Sequence, residues 1–228
     1  MTEYAYAGQV RLAYQRLAGP AEALPMVLLH GGGGDGSAWD TLAPRFARHR
    51  AVYVPELRGM GHSERTGPYS MTGFRDDLLA LLDTLALDRV VLVGHSLGGL
   101  VSLLATLAAP KRVAALVLEE CPPPVPLGIA IPTGLPESAT YYDREIRPAV
   151  LGALNAPDPR WWDDLAGIQV PVLVVAGGPE SFLPQDAMAR MAARIPAGEL
   201  VTITTGHRVH SDEPDAFADV VETFLAAR

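Results

Sequence analysis

The stretch VVLVGHSLGGLVSLLA (residues 90–105) decides the reading of the chain. An apolar run, the pentapeptide Gly-His-Ser-Leu-Gly and a second apolar run follow one another without a break. The first run is strand-length and β-branched, and the second is long enough for a helix. A serine between glycines therefore falls on a strand-to-helix turn. There Gly94 and Gly98 let the two elements approach closely, and Ser96 is lifted above the end of a sheet. N–H groups of the new helix point at the same spot. A serine so placed is a candidate nucleophile, and it needs a base, an acid and donors for an oxyanion.

Working outward, apolar runs of strand length recur at PMVLLH (25–30), RAVYVPEL (50–57), VAALVLEE (113–120), VPVLVVAGG (170–178) and ELVTITT (199–205). They are continuously apolar, as strands covered on both faces must be. AYAGQVRLAYQRL (5–17) alternates instead, as an exposed hairpin does. Helical patterns lie between these runs. SAWDTLAPRFARH (37–49) is read as one helix. SMTGFRDDLLALLDTLAL (70–87) sets Phe74, Leu78, Leu81, Leu82 and Leu85 on one face. QDAMARMAARI (185–195) and DAFADVVETFLAAR (215–228) are further helices. The alternation predicts an α/β fold with a mostly parallel, doubly wound sheet.

Residues 121–169 break the rhythm, since most connections run to about 4–6 residues. Their proline-rich start cannot be helical throughout. YYDREIRPAVLGAL (141–154) and PRWWDDLAGI (159–168) read as two short helices. The expected organisation is a core of 1–120 and 170–228 with a small helical cap, 121–169, inserted over one sheet edge.

The chain has 228 residues, 49% of them hydrophobic, which suits one α/β domain and excludes a disordered class. A net charge of −8 without a basic block disfavours nucleic acid and anionic membranes as partners. The apolar runs are shorter than the roughly 20 residues of a membrane span. MTEYAYAGQV carries no basic-then-apolar leader pattern, and one cysteine, Cys121, allows no internal disulfide. A cytoplasmic protein is expected. Cys121 reads as packing rather than as a reactive thiol.

Two glycine-bearing loops complete the pattern. LLHGGGGDGSAW (28–39) follows a strand and offers unobstructed backbone N–H groups; it lacks the lysine of a phosphate-binding P-loop. TTGHRVHSDEP (204–214) follows the last strand and carries His207, the candidate base. Among the six histidines, His210 is read as stabilising that loop, His30 and His95 as packing and hydrogen-bonding residues, and His49 and His62 as surface or loop positions. No histidine pair has metal-ligand spacing such as H-E-x-x-H, so no metal and no cofactor are expected.

These segments resemble α/β-hydrolase-fold proteins from about residue 8 onward. HGGGGDGSAWDTLAP is similar to the family's oxyanion segment, and ELRGMGHS to its D-x-R-G-x-G-x-S loop, with Glu56 in place of the usual Asp. GHSLGG is the nucleophile elbow, and PVLVVAGG and GHRVHSDEPDAF resemble the last strand pair and the catalytic-histidine loop. The resemblance implies a triad in the order Ser96, acid, His207. It also implies oxyanion donors at the backbone of Gly32 and Leu97. Two acids compete. Glu180, in GGPESFLPQ, stands where an Asp is commonest, whereas Glu120 matches the position that follows the preceding strand in haloalkane dehalogenases. Glu120 is favoured and Glu180 is the alternative; Glu119 ranks third because it points to the other side of the pleat. At least one of the adjacent glutamates needs a buried partner. Tyr141, Trp161 and Phe182, with Tyr142 and Trp162, are candidates to line or brace a pocket for a small-molecule substrate with an apolar acyl or ring group.

The leading expectation is a cofactor-independent serine hydrolase of an ester, lactone or thioester. Hydrolysis of a C–C bond, or perhydrolysis, uses the same site; Leu97, where a perhydrolase carries Met, counts against the latter. A ligand-binding scaffold without catalysis is the third reading. Dehalogenation is disfavoured because its nucleophile is Asp, not Ser96.

Overall fold

The computed structural model describes residues 1–131 and 142–228. Eight strands form one sheet: β1 (Thr2–Ala7), β2 (Val10–Leu17), β3 (Met26–Leu29), β4 (Val52–Pro55), β5 (Val90–His95), β6 (Val113–Glu119), β7 (Val172–Ala176) and β8 (Gly198–Thr202). Their order is β1-β2-β4-β3-β5-β6-β7-β8. β1 and β2 are the antiparallel hairpin, closed by Gly8 at positive φ, and β2 runs antiparallel to β4. From β4 to β8 every pair is parallel.

The described helices are α1 (Ala43–Phe46), α2 (Met71–Thr84), α3 (Leu97–Ala108), α4 (Ile146–Asn155), α5 (Arg160–Asp164), α6 (Gln185–Arg194), α7 (Val209–Asp212) and α8 (Pro214–Ala226). The strand pleat deals residues alternately to two cores, which is why the central strands are apolar at every position. Leu92, Leu116, Leu118 and Val174 face one core with α2, α3 and α6. Val91, Val93, Val117 and Val175 face the other with Trp39, Phe46 of α1 and Phe217 of α8. Each fully buried aliphatic side chain contributes about 1.5–3 kcal/mol.

The single helix expected over 37–49 is two pieces. Residues Gly36–Trp39 form a 3₁₀ turn whose Ser37 N–H is capped by the Asp35 carboxylate, and α1 begins anew with Pro44 near its start. Pro44 has no N–H to continue a helix from the turn before it, but it suits a first helical turn. Among the described residues no helix is long and apolar enough to cross a membrane.

Between β6 and β7 the chain leaves the sheet. α4 and α5 lie in this connection, and Ile146, Val150 and Leu165 bury against the α2/α3 core. The carboxyl ends of β3, β5, β6 and β7, together with this connection, frame the crevice where open α/β sheets place their sites.

Candidate active site

The turn between β5 and α3 is built by collision avoidance. A Cβ on Gly94 would strike the Gly98 backbone, and one on Gly98 would strike the carbonyls of Leu29 and His30. Strand and helix close to this distance only with glycine at both positions. Ser96 is thereby held at φ +51, ψ −115, unusual for a residue with a side chain. Its N–H donates to the Glu119 carbonyl at 2.9 Å, and its carbonyl accepts from Leu100 N–H at 3.0 Å, so the backbone on both sides is pinned.

Ser96 lines a cavity of about 280 Å³, and His207 lines the same cavity. His207 reaches it from the loop after β8. Its Nδ1 lies 3.1 Å from Glu120 Oε2, where Nδ1–H donates and leaves Nε2 free to accept. Its side chain is 22% exposed, whereas Glu120 is fully buried. No hydrogen bond joins Ser96 Oγ to a described residue.

Glu120 sits one residue beyond β6, at φ +44. The carboxylate accepts from Gly177 N–H at 2.5 Å, from Gln185 Nε2 at 3.2 Å and from the Ser181 hydroxyl, besides His207. Burial by itself would raise this carboxyl. The hydrogen bonds from His207, Ser181, Gly177 and Gln185 outweigh it and hold Glu120 below the ordinary glutamate range. It is therefore a charged acceptor at neutral pH.

Glu180 is exposed and makes no hydrogen bond to a described residue. The structure brings together Ser96, His207 and Glu120, and leaves Glu180 outside. The loop that carries Glu180 instead supplies Ser181 and Gln185 to Glu120, a role the sequence reading did not anticipate.

Glu119 also has a partner. It is buried, and its Oε1 accepts from both His210 N–H and His210 Nδ1–H, each at 2.8 Å. Glu120 has left the strand by its positive φ, so the two carboxylates are not opposite neighbours on a pleat. His95 is buried too, and its Nε2–H donates to the His207 carbonyl at 2.8 Å. Burial pushes its imidazole down to about 4, so it is neutral at pH 7. The ligating atoms of His95, Glu119 and His210 lie within 4.8 Å of one another, close enough to attract a metal ion. In this structure those side chains are engaged with His207 and with each other. His30 donates from Nδ1 to the Gly31 carbonyl (2.8 Å) and accepts at Nε2 from Leu57 N–H (3.0 Å), which orders the glycine loop.

That loop lies over the elbow. A Cβ on Gly32 would stand 3.6 Å from Leu97 Cδ2, and one on Gly31 would stand 3.4 Å from Ser96 Cβ. The N–H groups of Gly32 and Leu97 make no hydrogen bond to a described residue, so they are free to donate to a negative oxygen beside Ser96.

Phe182 and Tyr142 line the cavity. Phe182 is 63% exposed and its ring lies 4.4 Å from the His207 ring. Trp161 does not line it: Trp161 and Trp162 pack on the core from α5. Tyr141 lies outside the described residues. Half of the described apolar lining residues come from α4: Ile146, Val150, Leu151 and Leu154. Their spacing is visible in the sequence as a helical stripe, but a stripe alone does not distinguish pocket from core.

The comparisons with known proteins identify the fold family. The family model described as alpha/beta hydrolase fold matches residues 25–156. A 2-hydroxy-6-oxo-2,4-heptadienoate hydrolase of Pseudomonas putida is 30% identical, over 89% of this chain and 89% of its own. A hydrolase from Pseudomonas aeruginosa superposes with a TM-score of 0.82 at 27% identity, covering 98% of both chains. A structure described as Est816, an N-acyl homoserine lactone degrading enzyme, superposes with a TM-score of 0.77 at 26% identity, covering 97% of this chain and 100% of that one.

Proposed function

Since the chain belongs to the alpha/beta hydrolase fold family and is an enzyme of that fold, we propose that it is a serine hydrolase of carboxylic ester, lactone or thioester bonds, working through an acyl-enzyme at Ser96. The observation that carries this reading is one arrangement. Ser96, on a backbone turn at φ +51, shares a cavity with His207, whose Nδ1 is bonded to a buried, charged Glu120.

In this reading His207 Nε2 takes the Ser96 hydroxyl proton as Oγ attacks the substrate carbonyl. Glu120 keeps the imidazole in the tautomer that accepts at Nε2 and stabilises the imidazolium that forms. The N–H groups of Gly32 and Leu97 hold the tetrahedral oxyanion. His207 then protonates the leaving group, and a water deprotonated by His207 releases the acid from Ser96. Each step falls to a group of this chain, and none calls on a cofactor. Residues 121–169 act as a short cap, with Tyr142, Phe182 and the inner face of α4 receiving an apolar part of a small-molecule substrate. A free, buried Cys121 suits a cytoplasmic setting.

C–C bond hydrolysis in the same cavity is the second reading. It is favoured by the 30% identity to the heptadienoate hydrolase. Rapid-mixing kinetics with p-nitrophenyl esters test the leading reading. A burst of nitrophenolate stoichiometric with enzyme, absent in Ser96→Ala, supports an acyl-enzyme. Ester hydrolysis retained in Ser96→Ala refutes it.

A further inference from the structure

Among the described residues the cavity wall contains one permanently charged side chain, Arg147, the second residue of α4. The other lining groups are aliphatic, aromatic, glycine, Ser96 and His207. Arg147 is exposed, and no described carboxylate pairs with it. Some surface arginines find acids, as Arg45 does with Glu222 at 2.7 Å and Arg112 with Asp83 at 2.6 Å, and others such as Arg48, Arg89 and Arg144 do not; what sets Arg147 apart is that it lines the cavity of Ser96 and His207.

Its position also works against the helix that carries it. Cations favour a helix C-terminus and acids the first turn. α4 has no acid in its first turn and no side-chain cap on its N-terminus. Local helix stability therefore gives no reason for arginine at 147, and neither does an ion pair. A cation beside an apolar cavity is accounted for by what enters the cavity.

We propose that the enzyme's substrates carry a carboxylate, separated from the reacting carbonyl by an apolar segment, and that Arg147 is the residue that selects them. This rests on the hydrolase reading above and narrows its substrate class. A guanidinium meets a carboxylate through two parallel N–H donors. One arginine balances one carboxylate, whereas a phosphate monoester carries about −1.5 to −2 at pH 7 and would leave charge uncompensated in an apolar cavity. The net charge of −8 repels anions at long range, so a local cation is required where an anion must dock.

Three p-nitrophenyl esters of matched length test this: the hexanoate (neutral), the adipate monoester (terminal carboxylate) and the 6-aminohexanoate (terminal ammonium). At low salt, wild-type kcat/KM should fall in the order carboxylate, neutral, ammonium. Arg147→Gln should lower the carboxylate-to-neutral ratio about tenfold or more, mainly through KM. Arg147→Lys should recover part of it, and Arg147→Glu should turn the preference towards the ammonium ester. A ratio unchanged within about twofold in Arg147→Gln, with the neutral ester still hydrolysed, overturns the proposal and leaves the hydrolase reading standing. A folded wild type that hydrolyses none of the three and takes no fluorophosphonate label overturns both.

Discussion

Glu119 and Glu120 are adjacent in the chain, yet their carboxylates meet two different histidines of the segment after β8, His210 in α7 and His207 in the loop before it. Glu119 Oε1 holds His210 at 2.8 Å and Glu120 Oε2 holds His207 at 3.1 Å. The left-handed backbone at Glu120 lets consecutive side chains serve the same segment. The end of β6 thus acts as a two-point mount for the segment carrying the candidate base.

The acid assignment separates two variants. Glu120→Gln removes the charge beside His207 and should lower kcat by about 10²–10⁴-fold, as loss of an orienting carboxylate does in serine-hydrolase triads. Glu180→Gln touches nothing in the site and should stay within about twofold. Steady-state kinetics on one aryl ester check both; the reverse ranking moves the acid to Glu180.

The other half of the mount is structural. Glu119→Ala leaves His210 N–H and Nδ1–H buried without an acceptor, at a cost of about 3 kcal/mol. For a chain of this size that lowers Tm by roughly 6–12 °C. Thermal unfolding followed by circular dichroism measures it; a fall below about 2 °C contradicts the buried pair's role.

Acid should destabilise the fold well above the carboxylate range. His95 titrates near 4 when folded because burial disfavours its charged form, against about 6.5 when unfolded. Between those values the unfolded chain binds the extra proton, so stability falls as pH drops from about 6.5 to 4. The loss from this residue is roughly 3 kcal/mol. The depressed Glu119 and Glu120 add a further loss of the same sign as they protonate at lower pH. Tm measured from pH 7 to pH 4 should decline in wild type and less steeply in His95→Gln. Parallel curves refute the assignment to His95.

Cavity size sets a chain-length limit. At about 30 Å³ for a water-sized group, the cavity of about 280 Å³ holds roughly nine non-hydrogen groups. Each added methylene should raise kcat/KM about fourfold while it is buried, then no further. A p-nitrophenyl ester series locates the break. A rise that continues well beyond that length refutes α4 as the cavity's wall.

The sequence carries the sheet and the elbow plainly, because both rest on local pattern: unbroken β-branched runs for strands covered on two faces, and glycines at fixed offsets from Ser96. The helix over 37–49 reads wrongly because an apolar stripe continues through Pro44, which in fact starts a new helix. Trp161 is a candidate to line or brace a pocket by its place in the cap segment, but an aromatic residue there fits a core equally well, and Trp161 packs on the core. The choice between Glu120 and Glu180 is not legible in the sequence, since the contacts that distinguish the two are tertiary: Gly177, Ser181 and Gln185 converge on Glu120 from about sixty residues away, and no spacing rule encodes that. The Glu119–His210 pair is hidden for the same reason.

Fluorophosphonate labelling followed by peptide mass mapping addresses the central claim most directly. The account predicts one adduct per folded chain, on the Ser96 hydroxyl, lost in Ser96→Ala and slowed at least about a hundredfold in His207→Gln. A folded wild type that takes no label, or a label that persists in Ser96→Ala, contradicts it.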